Sequence, residues 1–194
     1  MTTAWKSLGK RELLRVGERL RVFAEHIRLP DGREIEDYLQ FSTPPFATIV
    51  AQTCEGLFVC ERHYKHGPKR TILSLPAGGI EGEDAQVGAK RELLEETGYA
   101  SEDWQALASW IMHGNAGGGT THSFLARNCR KIAEPESGDL EEIEVELLSA
   151  SDIMAALASG EMPLVSDVAA LLPALMALGL LVPNWRSIQC CAPK

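Results

Sequence analysis

The sequence predicts a mixed α/β sandwich. Three observations carry that expectation. The first third is built from short extended runs separated by turn signals, an unbroken helix-forming stretch follows, and strand-like segments then resume before two closing helices. Strands and helices are interspersed without a strict βαβ alternation, which suits a mixed sheet covered on both faces by helices.

Taken in order, 21–29 and 34–41 are strands flanking the turn Pro30-Asp31-Gly32. In the second of them Ile35, Leu39 and Phe41 share one face at period two. Residues 47–52 and 57–61 form another pair around Glu55-Gly56, and 71–75 is a strand stopped by Pro76. The stretch 78–83 reads as a Gly-rich acidic turn. Residues 84–97 are good helix formers, with Gly98 placed to end the helix in a left-handed cap. Strands at 104–112 and 123–126 enclose a glycine-rich loop, 113–122. A polar stretch leads to a strand at 143–148. Helices at 151–158 and from 166 onward close the chain, with a kink or break expected at Pro173. Leu171, Leu172, Leu175 and Leu178 read as the inner stripe of the last helix. The strands before Thr43 are read as an N-terminal β-region, 1–43, that could act as a dimerisation element beside a main domain, 44–194.

Composition narrows the function. Apolar residues make up 45% and charged residues 24% of 194 residues, ordinary globular proportions. A net charge of −8 disfavours nucleic acid or an anionic membrane surface as the partner. A phosphorylated small molecule is still admissible, because carboxylates can hold a divalent metal that meets the phosphates. The longest apolar run, 168–182, has 15 residues and contains Pro173 and Gly179. A membrane span needs about 20. Five cysteines, none in a C-x-x-C pair, and a polar start suggest a reducing cytoplasm.

The segment Arg91-Glu92-Leu93-Leu94-Glu95-Glu96-Thr97-Gly98 is the informative one. On a helix Glu92, Glu95 and Glu96 fall within an arc of about 100°. Their mutual repulsion costs a few tenths of a kcal/mol per pair. They also sit at the helix end whose dipole favours cations. A solvated acidic face is the plain alternative, yet a divalent cation would turn both penalties into binding energy. His63 and His66 could suggest a second metal site but have no third ligand nearby. No Gly-Lys-Ser/Thr follows the glycines of 113–122, which disfavours a Walker-type phosphate loop.

Taken with Leu75-Pro76-Ala77-Gly78-Gly79-Ile80-Glu81-Gly82-Glu83 upstream, this segment closely resembles the Nudix box. Seven residues separate Glu83 from Arg91, as in the motif. Four separate Gly78 from Glu83, one fewer than the motif has. Leu-Pro-Ala-Gly, the run Glu61-Arg62-His63-Tyr64-Lys65-His66-Gly67, and Gly114-Asn115 with their glycine-rich continuation look like the ADP-ribose and ADP-sugar pyrophosphatase branch of Nudix hydrolases.

The resemblance implies the Nudix fold, an α/β/α sandwich around a mixed sheet, and a Mg²⁺ cofactor for which Mn²⁺ could substitute. It implies metal held by Glu92, Glu95, Glu96 and the carbonyl of Ala77, with Arg91 orienting a glutamate and Glu83 supporting the loop. It further implies a proton-accepting glutamate ahead of a late strand, for which Glu141 is the first choice and Glu142 the second. Arg62, Gly78, Gly114, Asn115 and Trp5 are the expected substrate contacts, Arg62 toward phosphate and Trp5 stacked on adenine. The expected reaction takes ADP-ribose to AMP and ribose 5-phosphate, in a homodimer. The alternatives are ADP-glucose, GDP-mannose or a dinucleotide as substrate, or a nucleotide sensor that does not cut.

Overall fold

The computed structural model describes residues 4–136, 138 and 142–181. Among the described residues eleven strands form one mixed sheet. They are β1 (Lys6–Val16), β2 (Leu20–Arg28), β3 (Glu34–Ser42), β4 (Phe46–Thr53), β5 (Phe58–Lys65), β6 (Arg70–Ser74), β7 (Ala77–Gly79), β8 (Tyr99–Ala100), β9 (Asp103–His113), β10 (Gly117–Lys131) and β11 (Glu144–Leu148). The helices are α1 (Ala85–Thr97), α2 (Ala150–Ser159) and α3 (Val165–Ala177). The main path runs β1-β2-β3-β10-β4-β5-β11. Off it, β6 pairs with β5, β7 with β4, and β8 and β9 with β10.

Alternation along β4 and β5 divides the interior into two cores. Ile49, Ala51 and Val59 face α1, where they pack with Ala89, Leu93 and Phe124. Val50, Phe58 and Cys60 face the other way and pack with Leu73, Leu125, Ile153 and Leu171 under α2 and α3. Each layer buries its apolar stripe against the same sheet, so the sandwich follows from the two-sided hydrophobicity of these central strands.

Helix α1 starts at Asp84, whose carboxylate accepts the Gln86 N–H at 2.9 Å. It ends at Gly98, φ 75°, where a Cβ would fall 2.1 Å from the Ala133 carbonyl oxygen. Only glycine satisfies both the left-handed turn and that close approach.

Several expectations are corrected. Strand β1 was not foreseen, because Lys6, Lys10, Arg11, Glu12 and Arg15 break its alternation and almost the whole strand is exposed. The glycine-rich segment is mostly strand and not loop: β10 begins at Gly117, and a Cβ there would meet the Phe41 carbonyl oxygen at 2.7 Å. The glycines serve close backbone passage between strands. Ala77–Gly79 is a short strand against β4, not part of a turn. Helix α3 runs through Pro173 to Ala177 without a break, and Leu172 is exposed and so lies off the inner stripe. Trp185, Cys190 and Cys191 lie outside the described residues. No helix among the described residues is long and apolar enough to cross a membrane.

Asp167, in the first turn of α3, is 1% exposed, and its Oδ2 has no hydrogen-bond partner among the described residues. Burial, joined by the charge of Glu61, raises its carboxyl from 3.8 to about 7, while the Leu75 N–H, Ser166 and Lys65 pull it down. Between about pH 4 and 7 the folded chain therefore keeps a proton that the unfolded chain releases, so stability falls as pH rises through that window and is level above it. Asp167→Asn retains an acceptor for the Leu75 N–H and removes the buried charge. Its stability relative to the parent should improve by on the order of 4 kcal/mol between pH 4 and pH 8. Thermal melts at the two pH values measure this, and an identical Tm difference at both would contradict the buried charge.

Candidate active site

The site is where the last turns of α1 lie against β7. The Arg91 guanidinium organises it. Its Nη2 donates to the Gly79 carbonyl at 2.9 Å and to Glu83 Oε1 at 3.1 Å, and its Nη1 donates to Glu92 at 2.8 Å and Glu95 at 3.0 Å. One planar cation thus ties the strand, the loop and two helix carboxylates together.

Gly78 leaves the room this requires. A Cβ on it would fall 1.9 Å from Glu92 Cδ, so the strand backbone passes directly over the carboxylate. Glu96 is 5% exposed and accepts the Ala77 N–H at 3.0 Å. Burial, then the charges of Glu61 and Glu92, push its carboxyl well above the usual range, and the Ala77 N–H pulls against them. Glu95 is the outermost of the three, with 43% of its side chain exposed.

The donor chemistry suits a hard divalent cation. Glu92 and Glu96 are one turn apart, the Ala77 backbone lies against Glu96 through its N–H, and the two carboxylates disfavour each other's charge. Among the described residues no three His, Cys, Asp or Glu side chains already stand in a ligand arrangement. Glu92 and Glu95 are instead turned onto Arg91.

The other expected residues lie apart from this cluster. The Asn115 carbonyl accepts from Tyr38 Oη and Gln40 Nε2, both at 2.9 Å. Trp5 packs edge-on against Tyr38 at 5.6 Å. Trp5, Asn115 and the neighbouring Gly114 are thus gathered on the N-terminal strands. A link back exists through residues 43–45: a Cβ on Gly119 would meet Thr43 Oγ1 at 2.5 Å, and Ile80 N–H donates to the Pro45 carbonyl at 3.2 Å. Arg62 follows Cys60 on the α3-facing side of β5 and is engaged by Glu146. The structure does not bring it to the glutamates. Arg62 and Glu142 line one open groove. Glu141 lies outside the described residues. His63 is buried and bonded to Ser74 Oγ at 2.9 Å, and so belongs to the interior.

Sequence reading missed Glu61 as a functional candidate. It is 1% exposed and hydrogen-bonded to Glu96. The signal was available: with Val59 directed inward, period two also turns Glu61 inward, leaving an acid at a core position.

Comparison with known proteins agrees with this geometry. The NUDIX domain family model matches residues 43–167. ADP-ribose pyrophosphatase of Bacillus subtilis is 27% identical over 158 residues, which cover 80% of this chain and 84% of that protein. The methanol dehydrogenase activator of Bacillus methanolicus is 30% identical over 148 residues, covering 71% and 77%. The crystal structure of an ADP compounds hydrolase superposes with a TM-score of 0.79 at 18% identity, covering 93% of this chain and 99% of that one, which shows a shared fold.

Gly78→Ala is expected to separate site geometry from stability. The new methyl meets only the far end of a side chain, so Glu92 swings away and the fold tolerates it. Mn²⁺ affinity, measured by electron paramagnetic resonance, should fall by about 10-fold or more. Tm should move by no more than a few degrees. Unchanged Mn²⁺ affinity would show that Glu92 does not need its place under the strand.

Proposed function

This chain belongs to the NUDIX domain family, and from that premise we propose that it hydrolyses the diphosphate of ADP-ribose, giving AMP and ribose 5-phosphate with Mg²⁺ as cofactor. One observation carries the reading: Arg91 and Gly78 gather the carboxylates of Glu92 and Glu95 beside the strand Ala77–Gly79, and the Ala77 N–H holds that of Glu96 there. The ADP-ribose pyrophosphatases of Bacillus subtilis and Mycobacterium tuberculosis, each 27% identical, support the choice of substrate.

Glu92, Glu95, Glu96 and the Ala77 carbonyl would hold the metal. When bound, a divalent cation neutralises diphosphate charge and lowers the pKa of bound water toward neutrality. Arg91 takes part without touching substrate: its five donors fix the glutamates' orientation, so little reorganisation remains when substrate binds. Glu141, or Glu142 in its place, accepts the second proton of the attacking water. Trp5 offers an aromatic face to the adenine, 53% exposed and braced by Tyr38. Gly114 and Asn115 approach the ribose. The enzyme acts in the cytoplasm as a homodimer, paired through the N-terminal strands, where Leu13, Leu14, Val16 and Leu39 are exposed.

Product release from ADP-ribose, ADP-glucose, GDP-mannose, NADH and a diadenosine polyphosphate, with Mg²⁺ and again with EDTA, tests the proposal. AMP from ADP-ribose well above the others, abolished by EDTA, is the expected result. Glu96→Gln should lower kcat by at least about a hundredfold. Preference for another member would retain the chemistry and replace the substrate. Binding without turnover would favour a sensor, a reading to which the likeness to the methanol dehydrogenase activator lends weight.

A further inference from the structure

We infer that Glu61, contributed by the sheet and not by the helix, is an additional oxygen donor to the divalent cation held by Glu92 and Glu96. The inference rests on the metal-dependent reading above and adds a ligand to it. Its basis is placement. In β5, Val59 packs in the core beneath α1 and Cys60 in the opposite core, so Glu61 projects toward α1. Its cross-strand partners are Ser74 on β6 and Val145 on β11, and its carboxyl is hydrogen-bonded to that of Glu96. Glu96 is in turn fixed by the Ala77 N–H at 3.0 Å, beside the backbone carbonyl expected to face the metal.

The position is closed off from water, with apolar neighbours on two sides. Val59 precedes it on the same face, and Val145 lies opposite. A carboxyl 1% exposed among such neighbours is costly to bury. Setting it against a second carboxyl, itself 5% exposed and under the influence of Glu92, adds to that cost. A cation that takes Glu61 and Glu96, and draws Glu92 from Arg91, makes this gathering favourable, since anionic oxygens are what Mg²⁺ and Mn²⁺ select. Ser74 and His63, bonded to each other at 2.9 Å, occupy the adjoining stretch of the same face and hold it polar.

The test is Mn²⁺ titration of the metal-stripped full-length chain, read by electron paramagnetic resonance, with thermal melts in EDTA and in saturating Mn²⁺. Glu61→Gln keeps shape and removes the charge. It should bind Mn²⁺ at least about 10-fold more weakly and gain less Tm from Mn²⁺. Its melting temperature in EDTA should equal or exceed that of the parent, because a buried ionisable group is gone while the amide can still hydrogen-bond Glu96. Glu61→Asp, one methylene shorter, should bind with intermediate affinity. If the parent binds Mn²⁺ and both variants bind it within twofold of the parent, Glu61 is no ligand while the proposed function stands. If the parent itself binds no Mn²⁺, the metal-dependent reading fails and takes this inference with it. Loss of the fold in both variants would also overturn it, by making Glu61 a structural core group.

Discussion

Like charge gathered at the unfavourable end of a helix is the constraint to which the rest of this structure answers. Glu92, Glu95 and Glu96 all stand in the last two turns of α1, where the backbone dipole already disfavours anions. No lysine or arginine follows them in the final turn. The compensation comes from a cation one turn earlier. Arg91 reaches forward to Glu92 and Glu95 and back to Glu83 and Gly79. Because the guanidinium is planar and presents several fixed donors, it can serve four acceptors where a lysine ammonium could serve at most three.

That clamp works only if the sheet presents a backbone at the right height. The tie begins at Pro76, whose carbonyl accepts the Ile49 N–H at 2.9 Å, and continues as β7 pairs with β4. Strand β4 is nearly wholly buried between the two cores, so β7 is fixed against a closely packed part of the sheet. At Gly98 the helix end is fixed as well, by contact with the backbone at Ala133. Between these two anchors the carboxylates have little freedom to move apart, and their repulsion stays available to a ligand.

Much of this was legible beforehand, for identifiable reasons. Helix α1, its Asp84 and Gly98 boundaries and the carboxylate face follow from local chemistry: capping, propensity and the helical repeat act within a few residues. Central strands β4 and β5 were legible because burial on both faces leaves continuous apolar runs. Strand β1 was not, since its residues are exposed and its partner β2 alone specifies it. The glycines of β10 look like a loop in one dimension. Their reason is the Phe41 backbone, far away in sequence. Glu61 was half legible: its inward direction follows from Val59, but what it meets there does not. Its neighbour Glu96 lies beyond two further strands, β6 and β7, and most of α1. Long-range contact, not local preference, decides what such positions do.

The short loop between Gly78 and Glu83 shows how a departure from a motif can be absorbed without disturbing its chemistry. Glu83 still reaches Arg91, with Oε1 within 3.1 Å of Nη2. A loop with one residue fewer must lie closer to the helix to make that contact. The helix is shaped to accept it: a Cβ on Gly88 would stand 3.0 Å from Glu83 Oε1 and 3.6 Å from Ile80 Cγ1. Glycine in the middle of a helix costs up to about 1 kcal/mol relative to alanine, and here that cost has a cause. Gly82, with φ 82°, supplies the reversal that brings Glu83 down. Shortened loop, mid-helix glycine and left-handed Gly82 are therefore one adaptation, and what it preserves is the hold of Arg91 on both its loop and its helix carboxylates.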